Sequence, residues 1–324
     1  MTRRRQALQA IAACVLVPSF PSRAAAPSRP RVAIQNISGW KGRDRWRAHF
    51  AEEGLVDGRD VDLEFVRLGG EPAVTEPRAR ALVASRPRVI VVPGGELIGL
   101  FKGLTRDIPI VFYSFGQNPV HHGFVDSYSR PGGNVTGTTN QGAEVVPLGW
   151  QLLSRMRPGA RRVGSLMDEE MLASPWAPVV RETWRRAAVS LGLEQVEIVV
   201  RGDAGFAPVQ EAIRRARIDL LAVGTYAPWL PELMAFVEKE AIPALWVTVK
   251  MVEAGGLMSV LGSFDEAMRA SVSIVASILR GREPGTIPVR EVTGIDIAIN
   301  LRTARAMKLA IPPDILLRAN RVFE

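Results

Sequence analysis

The sequence predicts an α/β protein of two similar lobes, each a parallel sheet covered on both faces by helices. Three observations lead there. The chain has 324 residues, more than one hydrophobic core usually serves. Short β-branched runs alternate with longer helical segments, the pattern of βα units whose strands lie parallel. The alternation also comes in two blocks, broken at 130–141 (RPGGNVTGTTNQ) by a stretch of Gly, Thr and Asn that reads as a passage between lobes. At 47% hydrophobic and 23% charged residues, the composition excludes a disordered chain or a coiled coil.

The first segment stands apart. Arg3, Arg4 and Arg5 precede an apolar run at 7–17 that only Gln9 interrupts, Pro18 and Pro21 end it, and Arg23-Ala24-Ala25-Ala26 supplies small residues. This is the plan of a secretory leader, expected over 1–26. The run is shorter than the about 20 residues a bilayer demands, and it has no amphipathic stripe to bury as a helix. Thr2-Arg3-Arg4-Arg5 resembles a twin-arginine start with Gln6 where a large apolar residue is usual, so Sec and twin-arginine export both stay open. Ile11-Ala12-Ala13-Cys14 resembles a lipoprotein box, but Cys14 lies in mid-run before Val15, Leu16 and Val17, which argues against lipid anchoring. Cys14 is the only cysteine, so a mature chain has no thiol and no disulfide.

The remaining elements follow in order. Residues 31–35 (RVAIQ) form a strand, then a loop at 36–40 leads to a helix carrying Trp46, Phe50 and Leu55 that Gly54 helps close. Residues 61–66 (VDLEFV) alternate as a strand. A helix at 76–84, a buried strand at 89–92, a short helix at 96–104 and a strand at 108–112 complete the first block. In the second, strands at 162–167, 195–200, 220–223 and 244–247 alternate with helices at 178–191, 206–216 and 232–240. The tail adds a strand-like run at 256–261, an amphipathic helix at 264–279 stopped by Gly281, a loop at 284–288, a strand at 295–300 and a helix at 301–308. Lobe 1 is therefore expected over 27–138, with a return of the chain at about 248–288. Lobe 2 is expected over 139–247, joined by 289–324.

The net charge of +8 comes from 41 basic and 33 acidic residues. Removing the leader's four arginines (Arg3, Arg4, Arg5, Arg23) leaves 37 basic residues against 33 acidic, a net +4. Arginine is scattered, densest at Arg155, Arg157, Arg161 and Arg162. A solvated helix end accounts for that group. Nucleic acid is not an expected partner, since it would want a larger basic face with stacking aromatics.

Five phrases then carry a resemblance. Leu55-Val56-Asp57-Gly58-Arg59-Asp60-Val61 resembles the "GYVEGRNV" phrase of a large bacterial family of ABC transporter substrate-binding proteins, often linked to tryptophan or other aromatic amino acids. Ile108-Pro109-Ile110-Val111-Phe112 with Asn118-Pro119-Val120 is similar to its "IPIVF…DPV". Arg130-Pro131-Gly132-Gly133-Asn134-Val135-Thr136-Gly137 is nearly its most distinctive phrase. Gly255-Gly256-Leu257-Met258-Ser259 and the ending Ile299-Asn300-Leu301, Thr303-Ala304 and Ile311-Pro312-Pro313 follow in the same order. The resemblance covers essentially all of the mature chain. It implies a type I periplasmic-binding-protein architecture: two Rossmann-like lobes, three crossing strands, a ligand cleft and a hinge that closes on the ligand.

Ligands of parallel α/β sheets sit beyond the carboxyl ends of strands, which selects four loops. Ser38, Gly39 and Trp40 follow the first strand; Gly94, Gly95 and Glu96 the third; Tyr113, Ser114, Gly116 and Asn118 the fourth; Thr225 and Tyr226 a strand of the second lobe. The glycines let backbone N–H groups approach an anion, and the helix after Gly95 points its positive end there. Hydroxyls come from Ser38, Ser114, Thr225 and Tyr226, and stacking surfaces from Trp40 and Tyr113. The plain alternative is that glycines after strands merely permit tight βα turns. The chain also departs from its relatives. Gly95-Glu96 replaces Gly-Thr or Gly-Ser, and Asn118 replaces an Asp. Asp168-Glu169-Glu170 stands where an Asn-Pro turn is common and reads more plainly as a solvated helix start than as a cleft lip. A carboxylate at Glu96 would repel an anionic ligand group and attract an amine, so the ligand stays open among small polar molecules, amino acids included.

No catalytic constellation emerges. His49, His121 and His122 are the only histidines. His49 reads as a surface or packing residue. The His121-His122 pair with Asp126 lacks a third ligand at metal spacing, and adjacent histidines point apart. Gly-x-Gly-x-x-Gly, His-Glu-x-x-His and Gly-x-Ser-x-Gly are absent. The expectation is a non-enzyme without cofactor or metal: a monomeric periplasmic receptor that hands a small molecule to an ABC permease and ATPase. A sensory module docking on a receptor kinase is the alternative, and a secreted α/β enzyme a third reading.

Overall fold

The computed structural model describes residues 29–35, 39–68, 72–115, 118–140, 142–173, 177–201, 205–224 and 228–324; the expected leader at 1–26 lies outside them. The first block comprises β1 (Arg31–Gln35), α1 (Gly39–Glu52), β2 (Asp62–Val66), α2 (Pro72–Ala84), β3 (Val89–Pro93), α3 (Glu96–Leu104), β4 (Ile110–Phe115) and β5 (Val135–Asn140). The second runs through α4 (Gly142–Met156), β6 (Arg162–Asp168), α5 (Glu169–Ala173), α6 (Ala177–Ser190), β7 (Glu194–Val200), α7 (Ala207–Arg215), β8 (Leu220–Gly224), α8 (Leu230–Lys239), β9 (Ala244–Trp246), α9 (Val249–Glu253) and β10 (Met258–Gly262). The tail holds α10 (Phe264–Leu279), β11 (Arg290–Val292), β12 (Ile295–Asn300), α11 (Leu301–Ala306), α12 (Pro313–Arg318) and β13 (Arg321–Phe323).

These strands make two sheets. The first has six strands in the order β11-β5-β4-β3-β1-β2, all parallel. The second has seven, β13-β12-β10-β9-β8-β6-β7, and only the β10–β12 junction is antiparallel. The lobes thus repeat one plan: β2-β1-β3-β4-β5 in the first corresponds strand for strand to β7-β6-β8-β9-β10 in the second. The expected two-lobe α/β class is the observed one.

Near-continuous apolar strands follow from burial on both faces. In β1 and β3, Val32, Ile34, Val89 and Val91 turn to the layer containing Trp46 and Phe50 of α1 and Met268, Val272 and Val275 of α10. Their neighbours Ala33, Ile90 and Val92 turn to Leu82 of α2 and Ile98 and Phe101 of α3. Each Val, Ile, Leu, Met or Phe among them contributes about 1.5–3 kcal/mol through removal from water. Helix ends are equally local in origin. Ser263 caps α10 by accepting from Glu266 N, and Gly281 at φ 97° stops it.

The expected passage between lobes at 130–141 contains a strand, β5. It is buried yet made of Val, Thr and Gly, so no apolar run reveals it. Its hydroxyls are satisfied internally: Thr136 Oγ1 donates to Ile287 O at 2.8 Å, and Thr138 Oγ1 lies 3.2 Å from Ser271 Oγ. The phrase Arg130 to Gly137 is held by close packing. A Cβ on Gly137 would lie 2.1 Å from Phe112 O, and one on Gly132 would lie 1.9 Å from Asp126 Oδ2. Asn134 Nδ2 donates to Ile108 O and Thr105 O, at 2.8 and 3.1 Å.

The tail distributes differently from the expected return at 248–288. Residues through β10 stay in the second sheet, α10 and β11 belong to the first lobe, and β12 and β13 return to the second. An apolar run such as that of β10 carries no mark of which sheet receives it. The chain therefore crosses three times, at β5–α4, β10–α10 and β11–β12. The crossings touch: Ser263 N donates to Gly294 O at 2.7 Å, Gly294 N donates to Glu266 Oε2 at 2.9 Å, and a Cβ on Gly262 would lie 2.7 Å from Asn140 Cβ.

Candidate functional site

In this strand order the crossovers reverse direction beside the first strand of each lobe. The loop after β1 leads to α1 on one face of the sheet, and the loop after β3 leads to α3 on the other. Such a divergence opens a crevice beyond the strand ends. The equivalent position in the second lobe lies between the ends of β6 and β8. The two crevices are the candidate site, joined by the three crossings.

Expected site residues take several places. Gly39 and Trp40 are already the first residues of α1, while Ser38, Gly116, Thr225 and Tyr226 lie outside the described residues. Ser114 lies within β4 near its carboxyl end. Gly94 and Gly95 form the turn after β3. Gly95 holds φ 82°, ψ −142°, a conformation nearly confined to glycine, and delivers the chain into α3. Glu96 is the first residue of that helix, exposed, and has no ion-pair partner among the described residues. Asn118 is exposed, and its Oδ1 accepts from Val120 N at 2.9 Å and His121 N at 3.2 Å, so it caps a turn.

Tyr113 departs from its expected role as a stacking surface. It is fully buried, edge-on to Trp46 at 5.2 Å and to Phe264 at 5.5 Å between ring centroids. Its hydroxyl donates to Gln35 O at 2.9 Å. Burial pushes the phenol well above its ordinary pKa. In this position it supports the floor beneath the β1 and β4 ends. One residue earlier, at Phe112, β4 faces the opposite layer, and the sequence alone holds no register from which to tell the two faces apart.

Gln35 went unnoticed in the sequence. It is 6% exposed at the end of β1, and its Oε1 accepts from Leu68 N at 3.0 Å. One polar residue closing the apolar run RVAIQ was the available signal. In the second lobe, Gly224 ends β8 where a Cβ would lie 2.8 Å from Leu166 O. Asp168 ends β6, and Glu169 opens α5 while pairing with Arg201 at 3.5 Å, which matches the helix-start reading.

The histidines divide. His49 is 5% exposed between α1 and α10, with Nε2 3.1 Å from Asp265 Oδ1 and Nδ1 3.3 Å from Glu52 Oε2, a packing residue. His121 and His122 stand on the turn after β4, with ring centroids 6.2 Å apart. His122 stacks on Phe124 at 5.4 Å, and its pKa is lowered by burial and by His121. Among the described residues no group of three or more His, Cys, Asp or Glu side chains gathers. No described helix is long and apolar enough to cross a membrane.

Comparison with known proteins agrees with this architecture. The tyrosine-binding protein of Clostridioides difficile (strain R20291) is 22% identical over 263 residues, covering 80% of this chain and 74% of that one. An ABC domain from Streptococcus pneumonia in complex with L-Trp superposes with a TM-score of 0.73 at 21% identity, over 91% of this chain and 100% of that one. A periplasmic ribose ABC transporter protein from Conexibacter woesei has a TM-score of 0.58 at 15% identity, over 87% and 95% of the two chains. These likenesses establish the type I periplasmic-binding-protein fold. Residues 43–323 match the family described as ABC transporter substrate binding protein, and the chain belongs to that family.

Proposed function

We propose that this protein is a periplasmic receptor of an ABC importer, which binds an amino acid or similar small polar molecule between its lobes and delivers it to a permease and ATPase. The observation that carries the reading is the repeated strand plan: two switch points of the same kind, linked by three contiguous crossings. Ligand held between them draws the lobes together. Gly94, Gly95, Glu96 and the loops after β1, β4 and β8 supply the contacts, with the Glu96 carboxylate receiving the ligand's ammonium group. Relatives that bind tyrosine and L-Trp support amino acids as the first compounds to try.

The test is thermal unfolding of protein that has been denatured and refolded to release retained ligand, against amino acids, purines, sugars and small acids. Ligand at about 100 times its Kd raises stability by about 2.7 kcal/mol. One hit that persists unconsumed on incubation is expected, and Glu96→Gln weakens it when the ligand carries an amine. A hit that is consumed, or no hit across the panel, would sink the receptor reading.

A further inference from the structure

β7 is the outermost strand of the second sheet, and among the described residues β6 is its only hydrogen-bonded neighbour. It has seven residues and no proline. Glu194 N donates to Arg161 O at 2.7 Å. Alternate residues of a strand turn both backbone groups to the same side. Glu194, Val196, Ile198 and Val200 therefore serve β6, while Gln195, Glu197 and Val199 direct N–H and C=O outward. Open grooves of about 700 and 490 Å³ run along the two faces of this edge, one against α6 and the other against α7, so neither helix covers it. Val199 is 44% exposed, and Val179 and Val189 of the adjacent α6 are 58% and 65% exposed.

Edge strands usually carry charge that repels a further strand. Here that charge is already matched within the chain: Glu194 pairs with Arg162 and Glu197 with Arg181, both at 2.9 Å. We propose that β7 is a homodimer interface, in which two copies pair their β7 strands antiparallel about a two-fold axis at Ile198 and join their sheets into one. This replaces the monomer expected from the sequence.

The register follows from chemistry. A two-fold axis normal to a sheet keeps each face on its own side, so it pairs residues an even number apart and passes through a residue. At Ile198, the outward groups of Glu197 and Val199 exchange hydrogen bonds with Val199 and Glu197 of the second copy. The closer, non-hydrogen-bonded pairs are then Ile198 with Ile198 and Val196 with Val200, all β-branched and all on the α7 face. An axis at Glu197 would set two carboxylates directly opposite, and one at Val196 would set Glu194 against Ile198. The row Val196-Ile198-Val200 is its own complement only about its centre, which is why a second copy fits this edge better than an unrelated strand.

The test is sedimentation of the full chain from micromolar to hundred-micromolar concentration, where a concentration-dependent dimer is expected. Val199→Pro removes one outward N–H and no bond to β6, so it yields a monomer whose unfolding temperature matches that of the wild-type chain at concentrations where both are monomeric. Ile198→Cys in a Cys14→Ser background places two thiols opposite each other, at the Cα separation of about 4.5 Å that a disulfide spans. Mild oxidation then gives a covalent dimer. A chain that is monomeric at every concentration, a dimer indifferent to Val199→Pro, or failure of the cross-link overturns the proposal.

Discussion

Replacing Tyr113 by Phe separates the two roles open to that residue. The hydroxyl donates to Gln35 O at 2.9 Å, and the residues are 0% and 6% exposed. The Phe ring keeps the contacts with Trp46 and Phe264, so the change isolates the hydrogen bond. Leaving the buried carbonyl without a donor costs about 1–3 kcal/mol, offset in part because no phenol need be desolvated. A net loss of about 1.5 kcal/mol lowers Tm by about 2–3 °C in a protein of this size. The pH dependence adds a second signature. Burial holds the native phenol above its ordinary pKa, so the neutral side chain contributes stability that is fully present below pH about 10. That contribution is lost as pH rises through about 10 toward the native value, at up to about 1.4 kcal/mol per pH unit. Tyr113→Phe lacks this slope, and the gap between the two proteins narrows above pH about 10. Calorimetry across that window, with and without the compound that the unfolding panel identifies, reads both effects. A Tm unchanged by Tyr113→Phe together with a tenfold weaker ligand would refute the core assignment and return Tyr113 to the ligand's surface.

Three other perturbations test the frame around the site. Gly95→Ala meets no atom within 4 Å of its new Cβ, so only backbone strain at φ 82°, ψ −142° acts; stability falls by about 1–3 kcal/mol, and ligand affinity, read by calorimetric titration, falls with it. Gly137→Ala forces a Cβ to 2.1 Å from a backbone oxygen and 2.6 Å from the Phe112 ring, and a loss of about 1–3 kcal/mol or more should appear in thermal unfolding. Arg155 holds both Asp314 oxygens at 2.7 Å and depresses that carboxyl's pKa. Its stabilisation is present above pH about 4 and is lost as pH falls through the native value, so Asp314→Asn flattens the acid limb of the stability curve.

Much of the fold was legible because period and burial coincide. The helices at 96–104 and 264–279 and the strand at 295–300 stand where the sequence put them, since each has a clear apolar stripe or run and a Gly, Ser or Asn at an end. Where burial is achieved through hydrogen bonds, the pattern fails. β5 hides its threonines by bonding their hydroxyls, and so reads as a loop. α4, which follows it directly, carries Pro147 in its interior, and the sequence suggested no element there. β11 and β13 have three residues each with mostly exposed side chains, too little for any periodicity. The second crossing falls after β10 and not near 247, because sheet membership is decided by partners remote in the chain and the run Met258 to Gly262 carries no mark of its sheet.

In the sequence the candidate site reads as a set of strand ends and not as a set of side-chain directions, and the reason lies in which residues carry the family's phrases. Pro131, Gly132, Asn134 and Gly137 of the most distinctive phrase are occupied with packing: Pro131 O accepts from Asp126 N, Gly132 N donates to Gly285 O, and Asn134 ties the α3–β4 loop. They bind β5 and the returning chain to the first lobe, close to where the crossings begin. None of those contacts involves the crevice. The crevice proposed above draws instead on residues such as Glu96, exposed on the first turn of α3, whose replacement would leave the sheet undisturbed. Such a division lets one architecture serve many ligands. It makes membership readable from the packing phrases, while the ligand is identified by experiment.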